Sequence, residues 1–185
     1  MNKKQSPLLE SIKKTPFFDV FSEEEKWRFV EKGGRLFKRY EQKGLTIFSE
    51  GDIGDSMFVV LSGSINITKL ITPNNQEKNA SLSKPKHTTI AKMEAGSVFG
   101  EVAMLSGQTR TTYAITDTPL VVVMEINQEI LYSFNLAIQR KFDKQLISTL
   151  IGRLNTINKK FANLKEENSK NITTILKMRA KYEET

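Results

Sequence analysis

Hydrophobic positions change period twice along this chain of 185 residues. Over residues 1–35 the spacing is helical. Ser22-Glu23-Glu24-Glu25 has the form of a capping box, in which Ser22 accepts from the Glu25 amide while Glu25 reaches back. Trp27, Phe29 and Val30 then begin an apolar face, and Pro16 separates this helix from a shorter one carrying Leu8, Leu9 and Ile12. From 36 to 126 the pattern is that of strands. Short runs rich in Val, Ile, Thr, Phe and Tyr (36–40, 45–48, 56–61, 64–71, 88–93, 111–116 and 120–126) alternate with turn clusters such as Lys43-Gly44, Ser62-Gly63 and Thr118-Pro119. Many short strands at close spacing predict a mainly β fold of sandwich, barrel or jelly-roll type with flanking helices. The polar stretch 72–87 interrupts this pattern and reads as a long, mobile hairpin loop, with His87 solvated in it.

From 127 to 185 the period returns to helical, with no proline and one glycine, Gly152. Ile147, Leu150, Leu154, Ile157, Phe161 and Leu164 step by three and four residues, and the ladder continues through Asn168, Asn171, Ile175 and Met178. In a heptad frame Ile147 is at a, Leu150 at d and Gly152 at the outward f position. Asn168 then falls at a, where a buried Asn favours a parallel dimer in register. The other reading is one amphipathic helix packed on its own domain. Beyond about residue 165 that reading fails, because a small β domain is too short to cover so long a helix at about 1.5 Å per residue.

Composition narrows the chemistry. The chain has no cysteine and one histidine, His87, which excludes disulfides, zinc–thiolate sites, iron–sulfur clusters, a thiol nucleophile and a multi-histidine metal cage. No apolar run approaches the length of a membrane span, and the basic start lacks the apolar core of a secretory signal. Together with the missing cysteines this fits a cytoplasmic protein. Lys and Arg total 28 against 21 Asp and Glu, a net charge of +7, which raises nucleic acid, an acidic membrane or another anion as partner. Residues 127–185 hold 11 basic and 6 acidic residues, so +5 of that charge lies on the helical tail.

The stretch 96–112 carries the candidate chemistry. Gly100 permits a turn that other residues resist, and Glu101 to Leu105 then fits about one helical turn, whose start offers free amides to an anion. Glu101 sits on that turn and would repel a phosphate, so its role is a hydroxyl. Arg110, nine residues on and placed at the start of a strand, can offer a guanidinium to a phosphate. The set describes a ribose phosphate site; a hairpin with a surface Arg–Glu pair satisfies the spacing equally.

Phe99-Gly100-Glu101, the small and apolar residues after it, and the nine-residue step to Arg110 closely resemble the phosphate-binding cassette of cyclic nucleotide-binding domains. A second signature of that family lies upstream: Lys43-Gly44, Ile47-Phe48, Glu50-Gly51-Asp52, Gly54-Asp55, and Met57-Phe58-Val59-Val60-Leu61-Ser62-Gly63. Pro16-Phe17-Phe18 before the Ser22 helix resembles the family's N-terminal helical segment, and the resemblance spans about residues 8–160.

The resemblance implies a cyclic nucleotide-binding β-roll, a jelly-roll-like double-stranded β-helix, with a long C-terminal helix. The implied organisation is a helical segment at 1–35, a roll at 36–126 with its cassette at 96–112, and a lid helix with coiled-coil extension at 127–185. It also implies a non-enzymatic sensor with no catalytic residues and no metal. Glu101 would accept the ribose 2′-hydroxyl, and Arg110 would meet the cyclic phosphate. The amides of Gly100, Val102 or Ala103, and Thr111 would complete the contacts. Thr111 is associated in the family with cyclic GMP but also occurs in members responding to cyclic AMP, and Thr112 departs from the commoner Ala; cyclic AMP is placed ahead of cyclic GMP. Val59, Leu61 and Val98 are pocket walls or core. Phe142, Leu146, Leu150 and Arg153 are the candidates to cap the base from the last helix. The implied partners are the cyclic nucleotide, a second copy of the chain and a downstream protein. Two further readings are a DNA-binding regulator of the cyclic AMP receptor protein type without its helix-turn-helix, since only 21 residues follow Leu164, and the regulatory domain of a longer effector protein.

Overall fold

The computed structural model describes residues 6–71 and 86–183. The chain divides into two compact units, Met1–Lys141 and Phe142–Thr185. In the first, helix α1 (Pro7–Lys13) and a 3₁₀ turn (Pro16–Phe18) lead to helix α2 (Glu23–Glu31). The expected capping box is formed: Ser22 N–H donates to Glu25 Oε2 at 2.7 Å and the Glu25 amide to Ser22 Oγ at 3.2 Å. Glu25 Oε2 also takes Lys141 Nζ at 2.6 Å, and these partners hold its carboxyl below the usual range against the opposing effect of burial. Phe29 and Val30 are buried, while half-buried Trp27 donates its indole N–H to Glu31. Phe29 meets Phe18, Phe21 and Phe134 with ring centroids 4.8–5.5 Å apart, so the helices share an aromatic core.

Among the described residues eight strands follow: β1 (Phe37–Tyr40), β2 (Thr46–Phe48), β3 (Ser56–Ser62), β4 (Ser64–Ile71), β5 (Lys86–Glu94), β6 (Val98–Phe99), β7 (Tyr113–Thr116) and β8 (Val121–Asn127). They form two antiparallel sheets, ordered β1-β8-β3-β6 and β2-β7-β4-β5. Both contribute to one core: Phe58, Val60, Phe99, Val121 and Val123 from the first, Phe48, Ile65, Ile67 and Ala114 from the second. The fold is mainly β with flanking helices, as the strand pattern predicts. Strand β6 lies inside the stretch read as cassette, and its two residues are too few to show a period. Val59, Leu61 and Val98 are buried.

Residues 72–85 of the expected loop lie outside the described residues. His87 corrects that expectation: it stands on β5 opposite Leu70, with Nδ1 3.1 Å from Thr68 Oγ1 and its ring edge-on to Tyr113 at 4.8 Å. The run read at 88–93 is this strand, which begins two residues earlier than the pattern placed it, and His87 is exposed on it as expected, since β5 is an edge strand.

Helix α3 (Glu101–Ser106) joins β6 to β7, and α4 (Gln128–Tyr132) follows β8. Helix α5 (Leu136–Glu183) has 48 residues, and most of it makes up the second unit. Within that unit Phe142 and Leu146 are buried and Leu150 is half-buried. Ile147, Leu154, Ile157, Phe161, Leu164 and Ile175 are exposed, each by 57% or more. Asn168 and Asn171 are also exposed, and the Met178 side chain lies outside the described residues. Among the described residues no helix is long and apolar enough to cross a membrane.

Asp117, the residue after β7, ties the β7–β8 turn to the sheet β2-β7-β4-β5. Its carboxylate takes Lys43 Nζ at 2.9 Å and Lys92 Nζ at 3.0 Å, and its amide donates to the Ser64 carbonyl at 2.8 Å. The two ammonium groups pull its pKa down to about 2 from 3.8. A carboxylate depressed in the folded state stabilises above its unfolded pKa, and that stabilisation is lost as pH falls through the folded value. Asp117→Asn therefore lowers the melting temperature at neutral pH, and the gap from the parent closes between about pH 4 and pH 2; a melting series across pH checks this.

Candidate functional site

The segment 96–112 is held at both ends by backbone. At its start the Gly96 amide donates to the Val60 carbonyl at 2.8 Å and Val60 N–H to the Ser97 carbonyl at 2.9 Å, and β6 then pairs with β3. At its end Arg110 N–H donates to the Asp52 carbonyl and the Gly51 amide to the Arg110 carbonyl, both at 2.8 Å, beside a bridge between Ile53 and Thr109. Arg110 thus lies in the loop before β7, where the Gly51–Asp52 turn grips it, and not at a strand start as the spacing suggested. Asp52 is itself fixed, since its carboxylate accepts the Ser49 amide at 2.7 Å.

Gly100 turns the chain from β6 into α3 at φ +75°. A Cβ on it would stand 2.9 Å from Arg110 Nη1 and 3.2 Å from the Phe58 ring, so both conformation and space demand glycine. Glu101 is the first residue of α3, where the helix's positive end favours a carboxylate, and it is 4% exposed. Ala103 is buried and Val102 exposed. The first amides of α3 have no intrahelical acceptor. Phe99 stacks on Phe58 at 5.0 Å; Thr111 is exposed and Thr112 half-buried.

The Arg110 guanidinium, 4% exposed, lies 4.4 Å above the Phe48 ring and 5.7 Å from that of Phe58. Nη1 donates to the Gly100 carbonyl at 2.6 Å, and Nη2 donates to the Ser56 carbonyl at 2.7 Å and to Ser56 Oγ at 3.2 Å. Among the described residues Nε is buried with no hydrogen-bond partner. Burial lowers the pKa, opposed by the carboxylates of Asp55, Glu125, Asp52 and Glu101, and a guanidinium remains charged through such a shift. Phe48, Phe58 and Ser56 were not read from the sequence as site residues; each has the ordinary look of a strand position. The Gly51–Asp55 stretch, part of the upstream signature, here grips the cassette. The candidates Phe142, Leu146, Leu150 and Arg153 all belong to the second unit, where the first two are buried and the others half-buried.

A buried donor without a partner is costly, and this one sits on a cation beside the N-terminal end of α3. That arrangement fits a singly charged phosphate, with the Glu101 carboxylate suited to an adjacent hydroxyl. Residues 38–135 match the family model of the cyclic nucleotide-binding domain. The chain belongs to the cyclic nucleotide-binding domain family. Among curated relatives it is 26% identical over 126 residues to a cGMP-dependent protein kinase of Caenorhabditis elegans, covering 68% of this chain and 14% of that one. It is 27% identical over 122 residues to a CRP-like cAMP-activated global transcriptional regulator of Mycobacterium tuberculosis, covering 66% of this chain and 49% of the regulator. The chain therefore spans less than half the length of either. Among solved structures, a cyclic nucleotide-binding domain from Methylobacillus flagellatus superposes with a TM-score of 0.60 at 25% identity, over 80% of this chain and 77% of that one. The catabolite activator protein of Thermus thermophilus shares the fold, with a TM-score of 0.58 at 22% identity over 82% and 63%. The family is a regulatory module, generally without catalysis.

Gly54 tests the grip on the cassette. A Cβ there would stand 2.1 Å from the Ala103 Cβ and 2.9 Å from the Gln108 carbonyl oxygen, so Gly54→Ala must push α3 off the turn. Such overpacking costs about 1–3 kcal/mol, visible as a lower midpoint in urea denaturation, with ligand affinity falling alongside.

Proposed function

We propose that this chain is a cyclic nucleotide sensor, with cyclic AMP preferred over cyclic GMP, that signals through α5 and works as a dimer in the cytoplasm. The buried, unpartnered Nε of Arg110 is the observation that carries the binding reading. In this reading Arg110 meets the cyclic phosphate through Nε, and the amides of Gly100, Val102 or Ala103, and Thr111 share its oxygens. Glu101 accepts the ribose 2′-hydroxyl. Phe99 and Thr112 form the flanks of the cassette. Phe142, Leu146, Leu150 and Arg153 supply the lid over the base. The relatives differ in their nucleotide, one being cGMP-dependent and the other cAMP-activated, so binding of a cyclic purine nucleotide is common to both descriptions.

The chain's own chemistry suits a module that binds without reacting. Charge-assisted bonds to Arg110 and Glu101 need no proton to move at neutral pH. The output is assigned to α5. Exposed Ile147, Leu154, Ile157, Phe161 and Leu164, with half-buried Leu150 between the first two, step by three and four and support a pairing seam with a second copy. A ligand that binds one arrangement of such a pair better than another shifts the population between them, which is all that signalling requires.

Calorimetric titration is expected to show saturable binding of both nucleotides, cyclic AMP the tighter. Arg110→Ala loses at least about 1.5 kcal/mol, roughly tenfold in Kd. No binding of either nucleotide at millimolar concentration overturns the reading. Sedimentation at micromolar concentration is expected to give a dimer; a monomer removes the pairing seam and leaves the binding site untouched.

A further inference from the structure

Strand β8 presents Val121 and Val123 to the core shared by the two sheets. By the two-residue period of a strand, Glu125 comes next on that face. It is a half-buried carboxylate, its side chain 30% exposed, on a row that is otherwise apolar, and its partners on the sheet show what it does. Across the ladder β3 places Phe58 opposite Glu125 and Ser56 opposite Asn127, so Ser56 shares this face. The Ser56 hydroxyl donates its proton to Glu125 Oε1 at 3.2 Å. It accepts from Arg110 Nη2, also at 3.2 Å. Glu125 Oε2 lies 3.8 Å from Lys38 Nζ, which balances its charge from β1.

We propose that Ser56 and Glu125 are positioning residues for the nucleotide phosphate, acting through Arg110; this rests on the reading of Arg110 given above. A serine hydroxyl has one proton and rotates to suit its surroundings. Glu125 takes that proton and turns the oxygen's lone pairs toward Arg110. The guanidinium is a rigid plane, and the carbonyls of Gly100 and Ser56 together with the Ser56 hydroxyl fix its orientation. All of these bonds use Nη1 and Nη2. Nε is buried and takes part in none of them, so an anion that reaches it need break none of them. The relay therefore prepares Arg110 for its ligand and does not compete with it, which fixes the sign of the effect: disrupting the relay weakens binding.

The test is calorimetric titration of the full chain with cyclic AMP and cyclic GMP. Ser56→Ala is expected to weaken binding roughly tenfold and Glu125→Ala by about three- to tenfold, while Ser56→Thr and Glu125→Gln, which keep a hydroxyl and an acceptor, stay within about threefold. In an Arg110→Lys background, which lacks the planar fork, Ser56→Ala is expected to change affinity by less than about twofold. Equal weakening in both backgrounds assigns Ser56 a merely structural role and overturns the proposal. So does Ser56→Ala binding within about twofold of the parent, given a parent whose binding Arg110→Ala impairs; that result leaves the site reading standing. A parent that binds neither nucleotide overturns both. If melting shows Ser56→Ala unfolded, the contrast between Glu125→Ala and Glu125→Gln decides, and equal affinities for those two overturn the relay.

Discussion

A buried guanidinium sets the terms for this domain. Taking a cation out of water is tolerable only where its donors find acceptors and carboxylates stand near. Arg110 meets that demand with carbonyls from two different parts of the roll, Gly100 at the cassette turn and Ser56 at the head of β3, and with four carboxylates acting from a distance. The Phe48 ring covers one face of the plane. One donor is left over. The cassette turn, the head of β3 and the β2–β3 turn are therefore coupled through a single residue, the first two by its side chain and the third by its backbone, and a change in any of them reaches the site.

The coupling depends on close approach. Gly100 has no Cβ because Arg110 and Phe58 occupy that space, and Gly54 has none because α3 rests on it. The turn at Gly51–Asp52 pairs with Arg110 through backbone, so the arginine's Cα is placed by hydrogen bonds that do not depend on side-chain identity. The side chain is then aimed by the sheet. Packing supplies rigidity: Phe58 and Phe99 stack beneath the cassette, in a core to which both sheets contribute. Helix α5 carries a different kind of constraint. Its ladder is apolar and exposed beyond Leu146, and exposed apolar surface of that regularity is a liability until something covers it.

Much of this was legible in the chain because the signals are local. The capping box at Ser22 and Glu25, the strand runs, the turn at Gly100 and the helix after it each rest on residues a few positions apart, and each appears where the pattern places it. The cassette residues were legible for the same reason, since Glu101 and Arg110 are nine positions apart with a short helix between them. His87 was placed in the loop because Lys86 and His87, the first residues of β5, are polar and continue a polar stretch, while the strand itself was legible from 88. Strand β6 was missed because two residues carry no period.

Local spacing and pattern were enough to read the class of the domain, the cassette, the need for glycine at its turn and the heptad ladder of α5, since each rests on residues close together in the chain. How Arg110 is held follows from the folded arrangement instead. Ser56 lies 54 positions from Arg110 and Glu125 lies 69 from Ser56, and neither has any mark of function in its own neighbourhood. Their roles come from strand pairing, which brings distant positions onto one face. The partnerless state of Nε is a tertiary property as well: it depends on which acceptors the fold delivers to the other two nitrogens, and no spacing along the chain encodes that count.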